Sequence, residues 1–136
     1  MTVPSQARAV IIGGGVVGCS IAYHLGKLGW RDVVLLERKQ LTCGTTWHAA
    51  GLIAQLRATQ NMTRLAKYSQ ELYFGLEAET GVATGFKRNG SITVALSDER
   101  LEELRRSAAM ARAFGVEIDE ILPTDIAARY PGLSVA

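Results

Sequence analysis

Cysteine is nearly missing from this sequence, with two residues in 136, Cys19 and Cys43. Their spacing forms neither a pair nor a CxxC or CxxH cluster. That excludes a disulfide framework and leaves two free thiols in a reducing compartment. Histidine is as scarce, with only His24 and His48. No second His, Cys or carboxylate stands at ligand spacing from His48, so no metal is expected. No apolar run approaches the roughly 20 residues that span a bilayer, so no membrane span is expected. A formal net charge of +2, thinly scattered, gives no surface for nucleic acid. Repeats and low-complexity segments are absent. The opening "MTVPSQARAV" leaves no room for a targeting peptide ahead of the first strand-like run, so the expected location is cytoplasmic. With 48% apolar residues, the chain reads as a globular sequence of at most one domain.

What is present is concentrated in the first forty residues. "AVII" (9–12) is a short β-branched run followed directly by glycines, and it reads as a buried strand. After "GGGVVG", Val17, Ile21, Leu25 and Leu28 recur at helical spacing, with Gly29 as the stop. "VVLLE" then reads as a second buried strand ending at Glu37. A strand, glycine turn, helix and strand in that order predict a parallel βαβ crossover.

Within that unit, Gly13, Gly15 and Gly18 fit G-x-G-x-x-G. Gly13 permits the tight turn, Gly15 lets a pyrophosphate reach the backbone, and Gly18 lets helix and strand pack closely. The helix start offers N–H groups and partial positive charge to phosphate. Glu37 ends the second strand, where a carboxylate accepts from a ribose diol. A lone GxGxxG is weak, but here strand, helix, strand and terminal acid all fall in register. The unit therefore predicts a dinucleotide site. Glu37 would repel a 2′-phosphate and so argues against NADP, an argument softened by Arg38 and Lys39; NAD and FAD remain open at this point.

After Glu37 the chain does not run on to another helix and strand of the same sheet, as an NAD domain usually does. It enters "LTCGTTWHAAGL" (41–52), a loop of small residues around Trp47 and His48. Bare backbone with two hydroxyls suits close passage along an extended FAD. A loop histidine by itself is usually solvated or bonded to a nearby carbonyl, and His24 keeps that reading. Trp47 reads most simply as a packing residue.

"AVIIGGGVVGCSIAYHLGKLGWRDVVLLER" followed by "LTCGTTWHAAGL" resembles the N-terminus of the D-amino-acid-oxidase-type flavoproteins, and within them the sarcosine and dimethylglycine dehydrogenase branch. The resemblance continues through "ELYFGLEAETGVATGFKRNGSITVALSDERLEEL" and "AFGVEIDEILPTDIAARYPGL". It implies an FAD cofactor covalently joined through His48. It also implies that Val16, Val17, Glu37, Arg38 and the loop Gly44, Thr45, Thr46, Trp47, His48, Ala49, Ala50, Gly51 and Leu52 line the flavin nucleotide. Cys43 stands where the branch commonly has another small residue. The implied reaction is oxidation of N-methylglycines, sarcosine or dimethylglycine, by hydride transfer from the N-methyl carbon to flavin. The implied partners are an N-methylated amino acid and an electron acceptor such as electron-transfer flavoprotein or oxygen. The alternatives are another amine or amino-acid oxidase of the superfamily, or a non-catalytic NAD-binding regulatory module. Resembling proteins continue well past "RYPGLSVA", so this reads as an N-terminal portion, expected to be inactive alone. A tetrahydrofolate-binding region and the catalytic residues would lie beyond it.

The remainder reads as scaffold. Leu65, Tyr68, Leu72 and Leu76 form a stripe of a long helix ended by Gly81. Asn89-Gly90 predicts a two-residue hairpin turn, with Ile92, Val94 and Leu96 alternating along a half-buried strand. Leu101, Leu104, Ala108 and Ala111 mark a helix closing at Gly115. "VEIDEI" (116–121) predicts another strand, and Thr124 the cap of a short helix stopped by Pro131. The expected fold is α/β: a Rossmann-like FAD-binding βαβ unit leading into the start of a mixed α+β substrate domain. The expected division is 1–80 for the FAD-binding part and 81–136 for the start of the substrate domain, with the boundary in 81–85.

Overall fold

The computed structural model describes residues 4–133, a mixed α/β chain. Strands β1 (Ala9–Ile12) and β2 (Val33–Leu36) pair in parallel, Ala9 opposite Val33 and Ile12 opposite Leu36. The ladder runs on at one end, where the Gly13 N–H donates to the Leu36 carbonyl at 2.8 Å. Helix α1 (Val16–Lys27) supplies the crossover that parallel strands require. Past its end Gly29 takes φ +82°, the left-handed position that a glycine fills without steric cost.

Helix α1 covers one face of this two-stranded sheet. Ile11 is buried beneath it, and a Cβ built on Gly18 would stand 3.3 Å from Ile11 Cγ2. Side chains alternate across a strand, so Val10 and Ile12 lie on the other face. They are 55% and 87% exposed. Strand β1 is thus buried on one side only, at Ile11.

The chain divides into two compact units, one ending at Leu52 and the other beginning at Ile53. In the second, α2 (Gln60–Thr80) is capped by Thr59, whose hydroxyl accepts the Met62 N–H at 3.3 Å, and it stops at Gly81, φ +71°. Thr63 is fully buried; its Oγ1 accepts the Arg57 N–H at 3.1 Å and donates to the Arg57 carbonyl at 3.2 Å. Helix α3 (Asp98–Ala113) is capped by Ser97 and closes as predicted at Gly115, with the Val116 N–H returning to the Ala111 carbonyl at 2.8 Å. Helix α4 (Pro123–Arg129) starts one residue earlier than its predicted cap. Leu122 is the N-cap, and its N–H donates to the Asp125 carboxylate at 3.3 Å. Proline at the first helical position has no N–H to leave unsatisfied, so the turn nucleates at Pro123 and not behind Thr124.

Two predicted strands do not form. Among the described residues β1 and β2 are the only strands, and 91–96 and 116–121 are irregular. Gly90 has φ +74°, but Asn89 lacks the positive φ that a type I′ hairpin turn also needs. Phe86 instead meets Tyr73 of α2 at 6.4 Å between ring centroids, and Arg88 stacks over Phe74 at 4.1 Å. Leu96 is 94% exposed. The 116–121 stretch runs back along α3. The Arg112 guanidinium donates to the Ile118 carbonyl at 3.2 Å, and Arg105 forks onto Glu120 at 3.0 and 2.7 Å. Backbone groups must find partners, and at Ile118 an α3 side chain supplies one where no second strand is offered.

Candidate functional site at the glycine turn

The turn between β1 and α1 is built where only glycine fits. Gly13 sits at φ +102°. A Cβ on buried Gly18 would stand 1.9 Å from the Gly13 carbonyl oxygen, so any side chain there would push α1 off the strand end.

The chain after β2 then folds back over this turn. Glu37 accepts the Gly14 N–H on Oε2 and the Lys39 N–H on Oε1, both at 2.9 Å. These bonds, that from Gly14 foremost, hold its carboxyl below the usual carboxylate range, with smaller help from Arg38. Leu41 packs on Gly14, where a Cβ would meet Leu41 Cδ2 at 2.4 Å. Thr42 donates its N–H to the Gly14 carbonyl at 2.9 Å from φ +65°, a left-handed conformation rare for a β-branched residue. Thr46 Oγ1 accepts the Val16 N–H at 2.9 Å. Residues 37–46 are therefore stitched to residues 14–16 by three long-range hydrogen bonds.

The structure brings Gly13, Gly15, Val16, Gly18, Glu37 and Thr46 together in this way. Val17 points outward at 69% exposure, and Arg38 is exposed beside Glu37. Gly44 caps a short 3₁₀ helix, Thr45–His48, by accepting the Trp47 N–H at 3.2 Å. His48 and Thr45 are exposed on that helix, and Ala49, Ala50, Gly51 and Leu52 continue as exposed chain. Trp47 is 77% exposed, which corrects its reading as a packing residue: the 3₁₀ helix lies at the surface of its unit. His24 holds the carbonyl-partner role expected of it, its Nδ1 2.6 Å from the Ser20 oxygen. Sequence reasoning missed Gly14, Leu41 and Thr42 as parts of the site. The middle glycine of "GGG" was a usable signal for Gly14; Leu41 and Thr42 carry none.

These residues fit an extended dinucleotide. A Cβ on Gly15 would meet only the Thr46 hydroxyl, at 3.1 Å, so the backbone is otherwise bare there. A carboxylate has about four acceptor positions, so Glu37 keeps capacity for a diol beyond its two amides. One expectation changes: the Val16 N–H at the start of α1 is already taken by Thr46. Among the described residues no group of His, Cys, Asp and Glu could hold a metal ion, and no helix is long and apolar enough to cross a membrane.

Comparison with known proteins places the chain in a family. The chain is 42% identical over 135 residues to the mitochondrial pyruvate dehydrogenase phosphatase regulatory subunit of Mus musculus, covering 99% of this chain and 15% of that protein. It is 43% identical over 133 residues to the mitochondrial sarcosine dehydrogenase of Homo sapiens, covering 97% and 14%. It is 44% identical over 130 residues to the mitochondrial dimethylglycine dehydrogenase of Rattus norvegicus, covering 96% and 15%. The chain thus spans about one seventh of the length of these curated relatives. Among solved structures, the L-amino acid deaminase from Proteus vulgaris shares the fold, with a TM-score of 0.76 at 22% identity over 88% of this chain and 28% of that one. The model of the FAD dependent oxidoreductase family matches residues 8–136, and with glycine turn, crossover and terminal acid in place, the chain belongs to that family.

Proposed function

We propose that this chain supplies the ADP-binding and flavin-tethering part of an FAD-dependent enzyme that oxidises N-methylated amino acids, sarcosine or dimethylglycine. The observation that carries the reading is the glycine turn clasped by Glu37 and Thr46, in a chain 43% and 44% identical to sarcosine and dimethylglycine dehydrogenases. The β1–α1–β2 unit acts as a Rossmann-like half, with 1–80 in the FAD-binding domain and 81–136 opening the substrate domain. Gly13, Gly15 and Gly18 hold the pyrophosphate against the start of α1, and Glu37 accepts from the adenosine ribose. Val16, Val17, Arg38 and residues 44–52 flank the rest of the cofactor. His48 is the attachment point: exposed, and near the end of a segment fixed at Thr46. When bound, FAD supplies acceptance of the hydride released from an N-methyl carbon. An electron-transfer flavoprotein or oxygen would take the electrons onward, and any tetrahydrofolate site belongs to another region of the enzyme.

The test is to denature the complete enzyme in acid and follow the flavin. It should stay with the protein, and one flavin-bearing peptide containing "TTWHAAGL" should appear on proteolysis. His48→Ala should release flavin on denaturation while retaining non-covalent binding. Flavin that leaves the wild-type protein freely, or travels with another peptide, removes the tether.

A second reading is favoured by one relative, the phosphatase regulatory subunit at 42% identity. In it the glycine turn binds a dinucleotide, NAD included, without chemistry. A colourless protein that binds NAD and turns over neither sarcosine nor dimethylglycine would establish that reading.

A further inference from the structure

The sequence marks Asn89-Gly90 as a hairpin turn, and the structure forms no hairpin there, since 91–96 is irregular. What the pair keeps is its chemistry. Asparagine is a labile residue, because its side-chain amide is electrophilic at Cγ. The backbone nitrogen of the next residue is placed to close a five-membered ring on that carbon. Two things ordinarily restrain it: the following side chain shields the nitrogen, or a hydrogen bond holds its N–H. Neither operates at Gly90. It has no side chain, and a Cβ built on it would meet nothing within 4 Å, so the space beside its nitrogen is open. Asn89 and Gly90 are both exposed. Among the described residues no group accepts the Gly90 N–H, and none holds the Asn89 amide. The chain's other asparagine, Asn61, is restrained. It lies in α2, and the N–H that follows it, of Met62, donates to the Thr59 hydroxyl at 3.3 Å.

We propose that Asn89 is a modification site, converting to isoaspartate and aspartate by attack of the Gly90 nitrogen. Solvent base removes the Gly90 N–H proton, and the nitrogen adds to Asn89 Cγ. An N–Cγ bond forms, the Cγ–Nδ2 bond breaks, and ammonia leaves with a proton returned from solvent. Water then opens the cyclic imide at either carbonyl, giving aspartate or an isoaspartate whose main chain runs through Cβ and Cγ. The amide and one water become a carboxylic acid and ammonia, with nothing oxidised or reduced. The new negative charge stands beside Arg88, whose guanidinium stacks over Phe74 of α2 at 4.1 Å. The isoaspartate form also lengthens the backbone by one atom, next to the residues that hold this stretch to α2. None of this depends on the FAD reading above.

The experiment incubates the complete enzyme at a series of pH values on both sides of neutrality. Residues 86–92 are followed in one proteolytic peptide by mass spectrometry. Isoaspartate is read by methyl transfer from S-adenosylmethionine with an isoaspartyl methyltransferase. Asn89 should become an acid over time, faster as hydroxide rises, with methyl acceptance growing in step, while Asn61 stays an amide. Asn89→Gln should lose methyl acceptance, because glutamine must close a larger ring. Gly90→Ala should lose most of it, because a methyl group then shields the nitrogen. No acid at Asn89, equal conversion at Asn61, or a Gly90→Ala variant that converts as fast as the wild type overturns the proposal.

Discussion

Gly18→Ala is the sharpest test of how the turn is built. The new Cβ would stand 1.9 Å from the Gly13 carbonyl oxygen, where carbon and oxygen ordinarily approach to about 3.3 Å. Some part of the backbone must therefore move by more than an ångström. Gly13 cannot yield freely, because its N–H donates to Leu36 at 2.8 Å and its φ of +102° is set by the turn. Helix α1 cannot lift freely either, because Ile11 packs beneath Gly18. Overpacking costs about 1–3 kcal/mol or somewhat more, and losing the strand-end hydrogen bond adds about 1 kcal/mol. Alanine returns up to about 1 kcal/mol of helix propensity, leaving a net loss of about 1–3 kcal/mol. Gly26→Ala, in the same helix, is the control: nothing lies within 4 Å of its Cβ position, and it should gain roughly 0.5–1 kcal/mol. The assay is urea-induced unfolding of the complete enzyme followed by far-UV circular dichroism. The midpoint should fall for Gly18→Ala and hold or rise for Gly26→Ala. Coincident midpoints would refute the close helix–turn contact.

The Glu37 clasp should depend on acid. A carboxyl whose folded pKa is depressed contributes stability that is fully present above the unfolded value and lost as pH falls through the folded one. Exchange protection of the Gly14 amide should therefore be flat through neutral pH and decline as pH falls below about 4.5; Glu37→Gln should abolish that step, and an unchanged acid profile in the variant would assign the step elsewhere. Thr63→Val should destabilise the protein by about 2 kcal/mol, because it removes both hydrogen bonds that the fully buried Thr63 hydroxyl makes to the Arg57 backbone, whereas Thr63→Ser keeps both bonds. Equal urea midpoints for the two variants would show that the bonds contribute nothing.

The elements that depend on neighbours a few residues away were legible in the sequence. The order β1, α1, β2 followed from two β-branched runs around a helical stripe, and Gly29, Gly81 and Gly115 ended their helices at positive φ because those positions exclude a Cβ. The G-x-G-x-x-G turn was visible for the same reason. Tertiary structure decided whatever needed a distant partner. Alternation in 91–96 and the Val116, Ile118 and Ile121 of 116–121 suggested strands, but a strand requires another strand's free edge, and in 116–121 side chains of α3 made the contacts instead. Trp47 looked like packing and lies open, since burial belongs to the surface around a residue and not to its type. The links from Glu37 to Gly14 and from Thr46 to Val16 span 23 and 30 residues. No spacing rule connects a threonine after β2 to an amide at the start of α1; only the parallel crossover, which returns the chain to the same end of the sheet, sets them side by side.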